Sequence, residues 1–275
     1  MFKPRQVTII GGYGLMGQWF ARFFISQGCR VVISGRSYQK CKKAAGSLGA
    51  IAAKGNADAI NGSELVVLSV MPQRFAAVAK SIAGSLAPKQ IVIDVTSVKE
   101  NPVKIMHKYL KGNLVLGTHP MFGPLAQAKG QNFILTPTSR KERAFAREFS
   151  RYLRSKGFNA AVMSPKEHDR MIGDVLSLTH FVGFVTADAW KSLRIHRFIG
   201  TSSTSFRLLK SFVQSIVDSN PELYSYLQVG VTHAYGAERL FARKSMEWSD
   251  LVRRKKGRKL SKKMAALSRY VSGLK

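Results

Sequence analysis

Residues 6–17 read Gln-Val-Thr-Ile-Ile-Gly-Gly-Tyr-Gly-Leu-Met-Gly, and this stretch decides the fold. Its first half is a short β-branched run that predicts a buried strand. A glycine-rich turn follows at once, and the apolar spacing after it predicts a helix over residues 15–27. In that setting Gly12-x-Gly14-x-x-Gly17 is the dinucleotide-binding fingerprint. Gly12 permits the tight turn, Gly14 lets the backbone approach a pyrophosphate, and Gly17 lets the helix pack on its strand.

The amino terminus of this first helix predicts where a pyrophosphate would bind. Its free N–H groups and the helix dipole both favour an anion. We therefore expect the turn to provide cofactor contacts, through the backbone of Gly12, Gly14, Leu15, Met16 and Gly17.

The end of the second predicted strand, residues 30–34, indicates which dinucleotide binds. An NAD-preferring site usually has Asp or Glu here to hold the ribose 2′-hydroxyl, and this stretch has neither. Arg36 instead offers a guanidinium to a 2′-phosphate, with Ser34, Ser37 and Lys40 as auxiliary donors. NADP is the expected cofactor. If Arg36 only stacks on adenine or points to water, NAD would serve as well.

Further strands alternate with helical patterns along the first part of the chain. Apolar runs at 64–70 and 91–95 predict buried strands, and the segment between them is helical in period. This alternation predicts an α/β fold with a Rossmann-like doubly wound parallel sheet. Ligands bind such sheets beyond the carboxyl ends of the strands. We therefore expect Ser69, Ser97 and His119, which follow three successive strands, to meet near the nicotinamide.

His119 lies in the stretch Gly117-Thr118-His119-Pro120-Met121-Phe122-Gly123-Pro124 and is the candidate catalytic residue. It follows a short apolar run at 113–116 that predicts a strand, and Pro120 excludes helix at its own position. A lone histidine is often only a hydrogen-bonded structural group. The place of this one, just beyond a strand end, favours a role in chemistry.

The pattern changes at Ser164, after a last predicted strand at 160–163. Ser164-Pro165-Lys166-Glu167 is a capping box with proline at the first helical position, and it predicts a helix as far as Leu193. Everything beyond is helical in period, with further helices expected at 204–218, 221–241 and 246–271. The sequence thus predicts two domains, a dinucleotide-binding domain at 1–163 and an all-helical domain at 164–275.

The formal net charge of +29 over 275 residues is far more basic than a metabolic enzyme requires. Such a charge suggests nucleic acid, anionic membranes or anionic ligands as partners. The densest basic run, at 253–263, is accompanied by no zinc-finger spacing and no RNP-like aromatic motif. We interpret it as a solvated basic face, with nucleic acid bound only as an incidental polyanion.

Other features exclude several classes of protein. No apolar run approaches the ~20 residues that a membrane helix needs, and the amino terminus lacks a signal-peptide pattern. We therefore expect a cytoplasmic protein. Cys29 and Cys41 have neither metal-ligand nor redox spacing, so we expect reduced packing residues and no metal site.

Taken together, the motifs resemble the prephenate dehydrogenase family of tyrosine biosynthesis, most closely its archaeal-type members. Besides the glycine-rich turn, the matching features are Asp94-x-x-Ser97-Val98-Lys99, the His-Pro-Met-Phe-Gly-Pro stretch at 119–124, His168-Asp169-Arg170, Thr179-His180 and Asn220-Pro221-Glu222-Leu223-Tyr224. The resemblance implies a Rossmann domain followed by a helical domain that dimerises.

The resemblance also implies oxidative decarboxylation of prephenate to 4-hydroxyphenylpyruvate. Hydride leaves ring C4, the C4 hydroxyl loses its proton, and carbon dioxide departs as the ring becomes aromatic. His119 would act as the base, and Ser97 would hold the histidine and the nicotinamide in register. His180 would bind the substrate by a hydrogen bond or by charge. His168, beside Asp169, is interpreted as a histidine that is hydrogen-bonded near the domain junction.

One position departs from the family pattern. An arginine commonly clamps a substrate carboxylate in this family, and Ser215 occupies the matching place. Serine cannot form the bidentate charged pair that arginine forms. We expect Arg207 or Lys210, on the same predicted helix, to bind the carboxylate instead. The substrate's side chain, pyruvyl in prephenate or alanyl in arogenate, is left open.

Two alternatives remain at this stage. The first is an arogenate dehydrogenase, or an NADP-dependent dehydrogenase of another small carboxylated substrate. The second is a non-catalytic protein that senses nucleotides or binds polyanions. The combination of Ser97, His119 and His180 argues against the second, because a sensor needs no base beside the nicotinamide.

Overall fold

The computed structural model describes residues 2–218, 220–231 and 233–274. The chain divides into two compact units. The first comprises the residues up to Ile172 together with Ser225–Leu227, and the second comprises Gly173–Tyr224 and the residues from Gln228 onward. The domain boundary at 163/164 stays a prediction, and the structure groups residues 164–172 with the sheet.

The first unit is built on one sheet. Its eight strands in the described part of the chain are β1 Gln6–Ile10, β2 Arg30–Ser34, β3 Ile51–Ala52, β4 Leu65–Leu68, β5 Ile91–Asp94, β6 Leu114–Pro120, β7 Asn132–Thr136 and β8 Asn159–Val162. Their spatial order is β3-β2-β1-β4-β5-β6-β7-β8. The chain runs outward from β1 in one direction and then from β4 in the other. This is the predicted doubly wound arrangement, and its switch point lies between β1 and β4.

Helices cover both faces of this sheet. They are α1 Leu15–Ser26, α2 Tyr38–Leu48, α3 Asn56–Ile60, α4 Pro72–Ile82, α5 Glu100–Tyr109, α6 Arg140–Ser155 and α7 Pro165–Met171. One face is packed by an aromatic cluster from α1, α6 and the neighbouring strands, including Phe20, Phe24 and Phe149. The other is packed mainly by α4 and α5, through side chains such as Phe75 and Met106. Because both faces are buried, the central strands are continuous apolar runs.

The sheet is not parallel throughout. Strands β1 to β6 run parallel to one another. Strand β7 pairs with β6 in the antiparallel direction, and β8 pairs with β7 in the parallel direction. The reversal has a simple cause, because residues 121–131 between β6 and β7 contain no helix to carry the chain back across the sheet.

The same reversal corrects the predicted position of His119. The residue was expected just beyond a strand end, but it lies inside β6, where it pairs with Ile134 of β7. Pairing with β5 stops at Gly117. His119 therefore projects past the carboxyl edge of the parallel strands while its backbone is held by an antiparallel neighbour.

The turn after β1 depends on glycine at several successive positions. Gly11 takes the left-handed conformation, with φ +86°, so the tight turn falls one residue before Gly12. Gly12 is needed for another reason, since a Cβ there would lie 2.5 Å from the Cβ of Ile33. A Cβ on Gly17 would lie 2.3 Å from the carbonyl oxygen of Gly11. Helix α1 can therefore approach the turn only when residue 17 is glycine.

The remaining helices are α8 Leu178–Ser192, α9 Thr204–Val217, α10 Pro221–Gly230, α11 Ala234–Arg253 and α12 Gly257–Ser272. All belong to the second unit except Ser225–Leu227 of α10. Ser164 and Glu167 form the predicted capping box at the start of α7. The long helix expected to follow is present as α7, a π-helical segment Ile172–Ser177, and α8. None of the helices in the described part of the chain has the length and apolarity needed to cross a membrane.

Two of the predicted helix boundaries in this unit were wrong. The helix expected over 221–241 ends at Gly230, and Val231 has extended backbone. Glycine and β-branched valine are both poor helix formers. The helix expected over 246–271 is broken after Arg253, where Lys255 adopts φ 52°. Gly257, a poor helix former, follows two residues later.

The close approach at Gly17 predicts a change in stability. Gly17→Ala should lower the free energy of unfolding by about 1–3 kcal/mol, because its methyl group meets backbone atoms that cannot move aside. Gly46→Ala is the matched control, since Gly46 lies within α2 and its added methyl would meet no atom within 4 Å. This variant should be more stable than the parent by about 0.5–1 kcal/mol. Urea unfolding of the three proteins measures both changes, and equal midpoints would contradict the packing argument.

Candidate active site

The glycine-rich turn provides an uncapped helix terminus at the sheet's switch point. Gly14 is the N-cap residue of α1 and brings no side chain to the first N–H groups of the helix. A Cβ on Gly14 would meet only the carbonyl oxygen of Gly11, at 3.3 Å, so the outer side of the turn is open. Leu15 is exposed there and Met16 is half-buried. These features fit a pyrophosphate group.

The β4 end lies beside this turn. Ser69 follows β4 directly, and its backbone N–H donates to the carbonyl oxygen of Ile10 over 2.8 Å. A Cβ on Gly11 would lie 2.0 Å from the carbonyl oxygen of Ser69. Ser69 therefore lies at the edge of the predicted cofactor site, and its contact with a cofactor stays a prediction.

The residues predicted to bind a 2′-phosphate lie after β2. Arg36 and Lys40 are exposed, and Ser37 caps α2 by accepting the backbone N–H of Lys40. The Lys40 ammonium lies 6.0 Å from the centre of the Tyr13 ring. Ser34 differs from the expectation, because it is fully buried and its hydroxyl donates to Oδ1 of Asn56 over 2.9 Å. Three of the four predicted donors thus remain accessible to a phosphate.

His119 is connected to two further side chains of the first unit. Its Nδ1 lies 2.9 Å from Nε2 of His168, on α7. The Nδ1 atom of His168 lies 2.7 Å from Oδ1 of Asp169. His119 is 4% exposed and His168 is fully buried. His168 was expected to be hydrogen-bonded, but the sequence gave no reason to expect His119 as its partner.

Asp169 is itself held by a helix terminus. Its Oδ1 accepts the backbone N–H of Lys99 over 2.6 Å, and its Oδ2 accepts that of Glu100 over 2.9 Å. These are among the first N–H groups of α5, whose N-cap residue, Lys99, provides no side-chain cap. A carboxylate at this position accepts hydrogen bonds from N–H groups that have no partner within the helix, and it lies at the positive end of the helix dipole.

The side chain of Lys99 fixes the other end of the site. It is fully buried and forms an ion pair with Asp94 at the end of β5. Its ammonium also donates to the carbonyl oxygen of Thr118, over 2.5 Å, and to the Thr96 hydroxyl, over 3.2 Å. Because Thr118 directly precedes His119, this ammonium positions the strand that bears the histidine.

Burial determines the protonation of the two coupled histidines. It lowers the pKa of His119 well below the usual 6.5, and the nearby His168 and Lys99 lower this pKa further. Burial also lowers the pKa of His168, although the hydrogen bond that His168 donates to Asp169 opposes that shift. Both rings are therefore neutral at pH 7. A neutral imidazole can accept a proton, as a general base must.

Ser97 lies in the loop between β5 and α5 and is half-buried. The strands before Ser97 and around His119 are adjacent, since β5 pairs with β6. The two residues thus belong to the same edge of the sheet, as the sequence suggested. The role of Ser97 in holding the nicotinamide stays a prediction.

His180 belongs to the second unit, on α8. It is 6% exposed, and its ring centre lies 4.1 Å from that of Tyr224. Its Nδ1 is buried without a hydrogen-bond partner among the described residues. Such an atom costs about 1–3 kcal/mol unless something else satisfies it. Burial lowers the pKa of His180 to about 4, so the ring is neutral at pH 7.

Helices α8 and α9 run antiparallel, as two contacts establish. The Trp190 ring packs on Phe206, and Gly183 packs directly against Ile216. His180 lies one turn beyond Gly183, away from Arg207 and Lys210. At 1.5 Å per residue, Lys210 is about 13 Å and Arg207 about 18 Å from His180 along the helix axis. Both side chains are exposed.

Ser215 is nearer to His180 than either of these cations. It adjoins Ile216, so it lies at the level of Gly183, and its hydroxyl donates to the carbonyl oxygen of Phe212 over 2.7 Å. The position at which the resemblance led us to expect an arginine is therefore close to His180 along the helices. Arg207 and Lys210 both lie farther from His180 along the helix axis than Ser215 does.

The chain matches two family models over most of its length. One, described as the prephenate dehydrogenase nucleotide-binding domain, matches residues 20–164. The other, described as the prephenate dehydrogenase dimerization domain, matches residues 164–266. The chain belongs to the prephenate dehydrogenase family.

Relatives of this prephenate dehydrogenase family member come from several organisms. A probable arogenate/prephenate dehydrogenase of Methanocaldococcus jannaschii is 30% identical over 90% of this chain and 57% of its own length. The T-protein of Enterobacter agglomerans is 25% identical over 80% of this chain and 55% of its own. The chain thus spans little more than half the length of these curated relatives.

Solved structures agree on the fold. The prephenate dehydrogenase of Aquifex aeolicus, in complex with hydroxyphenyl propionate and NAD+, has a TM-score of 0.80 at 22% identity. The comparison covers 100% of this chain and 99% of that one. Synechocystis arogenate dehydrogenase has a TM-score of 0.71 at 18% identity, over 96% of this chain and 99% of that one. At these identities the likeness shows the fold alone.

Among the residues that the structure describes, no group of three or more His, Cys, Asp or Glu side chains is arranged to hold a metal ion. Cys29 and Cys41 are both buried as free thiols, as predicted for packing residues. Burial raises the pKa of each thiol.

The low pKa of His180 predicts that acid destabilises the fold. Between pH 6.5 and about 4 the unfolded chain binds a proton at this ring and the folded chain does not. The free energy of unfolding should therefore fall as the pH falls through this window, by at most about 1.4 kcal/mol per pH unit for each such histidine. His180→Asn should reduce this slope. Urea unfolding across the window measures it, with the exposed His196→Asn as control, and identical slopes in all three proteins would contradict the prediction.

Proposed function

We propose that this protein is an NADP-dependent prephenate dehydrogenase that produces 4-hydroxyphenylpyruvate for tyrosine biosynthesis. The observation that carries the proposal is the buried, neutral His119 with its hydrogen-bonded partners His168 and Asp169. A family member that only bound nucleotide would not need a base prepared in this way. The matched dehydrogenase domain models support the reaction class.

In this proposal His119 removes the proton of the C4 hydroxyl as the ring is oxidised. A base of low pKa is deprotonated at neutral pH, and its burial excludes water that would compete for the hydroxyl. Ser97 orients the reacting groups from the adjacent strand. Loss of carbon dioxide makes the ring aromatic, which drives the reaction without a metal.

The dinucleotide is proposed to bind at the switch point of the sheet. Gly12, Gly14, Leu15, Met16 and Gly17 would hold the pyrophosphate through the backbone, and Arg36, Ser37 and Lys40 would hold the 2′-phosphate. Bound nicotinamide supplies the acceptor for the hydride. Ser69 would lie beside it at the end of β4. The buried Ser34 is better regarded as a support for Asn56.

His180 is proposed to bind the substrate through a hydrogen bond. Burial lowers the pKa of His180 to about 4, and the resulting neutral ring at pH 7 favours a hydrogen bond over a charged contact. Its buried Nδ1 has no partner among the described residues, so a substrate group that donated to it would remove an energetic cost. Of the two proposed carboxylate ligands, Lys210 lies nearer to His180 than Arg207.

Arogenate is the principal alternative substrate. The Methanocaldococcus relative carries both substrates in its name, and serine at 215 removes the usual carboxylate clamp. The side chains that distinguish a pyruvyl from an alanyl group are few, so a direct assay must decide.

The protein is also proposed to act as a cytoplasmic homodimer. The family model for the second half of the chain is described as a dimerization domain. Large apolar side chains of α11 and α12 are exposed in the single chain, among them Met246, Val252 and Met264. Nucleic acid would bind only through the general positive charge, so such binding should weaken steeply with salt.

Turnover should depend on His119. With NADP and prephenate we expect the purified protein to form reduced cofactor, and His119→Asn should lower kcat by about 10²–10⁴-fold because the base is lost. His196→Asn, on an exposed histidine, is the control and should retain activity. Arogenate and NAD are assayed in parallel. Cofactor binding without turnover of either substrate would contradict the proposal and favour another carboxylate or a sensing role.

Cofactor choice should depend on Arg36. Arg36→Ala should raise KM for NADP by about 10–100-fold, because a charged contact with the 2′-phosphate is removed. The KM for NAD should change little. Arg22→Ala, on an exposed arginine of α1, controls for loss of general positive charge. Equal changes for the two cofactors would mean that Arg36 does not recognise the phosphate.

A further inference from the structure

Two hydrogen bonds join His119 to His168 and His168 to Asp169, and together they determine which ring nitrogens carry a hydrogen. Asp169 accepts two backbone N–H groups at the amino terminus of α5, so its carboxylate is held as an acceptor. The Nδ1 of His168 lies 2.7 Å from this carboxylate and must therefore carry the hydrogen that it donates.

The same argument extends to the second ring. A neutral histidine has one N–H, so a hydrogen on Nδ1 of His168 leaves Nε2 as a lone-pair acceptor. The partner of that atom, 2.9 Å away, is Nδ1 of His119, which must then donate. The only remaining ring nitrogen of His119, Nε2, is an acceptor.

We propose that His168 and Asp169 are positioning residues that fix His119 as its Nδ1–H tautomer, leaving Nε2 to accept the substrate proton. The kinetic consequence rests on the proposed function, whereas the tautomer does not. An orienting carboxylate behind a histidine base is a general device for selecting the tautomer of the base. Here a second histidine stands between them.

The arrangement also counters a charge problem at the base. Lys99 lies near His119 and disfavours a second positive charge there. When His119 binds a proton at Nε2, its Nδ1–H remains bonded to His168, whose other nitrogen faces the Asp169 carboxylate. Asp94 faces Lys99 and offsets its charge. The proton taken from the substrate thus arrives at a ring that is linked to an anion.

Alternative roles for His168 are less consistent with the contacts. A histidine kept only for packing would not need both ring nitrogens within 3 Å of polar partners. Complete burial means that His168 cannot touch substrate itself. It acts through His119.

Nuclear magnetic resonance can read the tautomer in the unmodified protein. Two-bond proton–nitrogen correlations of histidine-labelled protein distinguish Nδ1–H from Nε2–H rings, and His119→Asn identifies the signals of His119 by their loss. We expect Nδ1 of His119 to be protonated and Nε2 to be bare. An Nε2–H ring at His119 would overturn the inference, whatever the enzyme's substrate.

Variants of the partners test the coupling. His168→Phe removes the acceptor, and Asp169→Asn offers His168 an amide donor in place of a carboxylate. Each should shift His119 toward the Nε2–H form and lower kcat by about 10–100-fold, with little change in KM. His168→Gln, which keeps an acceptor near the same place, should restore part of the kcat. His107→Phe, on a half-exposed histidine of α5, is the matched control.

The outcomes separate the two proposals. Variants that fold and keep the parent tautomer and kcat would show that the pair is merely structural. If a variant does not fold, the tautomer in the parent protein still decides. Absence of turnover in the parent protein would remove the proposed function, and the spectra would continue to test the positioning role.

Discussion

The buried ammonium group of Lys99 is the interaction on which the site depends. Its side chain joins Asp94 at the end of β5 to the carbonyl group of Thr118 on β6, and its backbone N–H binds Asp169 near the end of α7. One residue therefore connects two strands and a helix. A buried ion pair contributes little net stability once its desolvation is counted, but breaking one by removing a partner is costly. Its value here is positional, since it constrains the backbone that carries His119.

This constraint bears on how His119, the proposed base, could accept a proton in so basic a protein. A strongly positive chain would be expected to disfavour any further proton, and burial adds to that effect. The protein compensates locally: Asp94 neutralises Lys99, and Asp169 faces the second histidine. Local pairing at a few ångströms outweighs the distant surface charges, which salt screens within about 10 Å.

The family assignment and the substrate rest on different parts of the molecule. Most of the sheet, with His119, belongs to the part of the chain that the family models match, residues 20–266, and the glycine-rich turn lies just before it. In the proposed function, the choice of substrate and cofactor depends on a few side chains such as Arg36, His180 and Ser215. A single hydrogen bond or charge can reverse such a choice while leaving the fold unchanged. Similarity therefore shows the family, whereas the substrate needs a direct assay.

The sequence by itself determined the doubly wound sheet, the glycine-rich turn, the capping box at Ser164 and the candidacy of His119, because each is encoded in neighbouring residues. It did not determine the antiparallel β7 or the burial of Ser34, because these depend on chain reversal and packing. The breaks after Gly230 and Arg253 were missed because the helical period of the apolar residues continues across them. Nor did the sequence link His119 to His168, which lies 49 residues away. Only the tertiary structure brings the two rings within 2.9 Å and buries them, and burial together with that contact decides which nitrogen carries the proton.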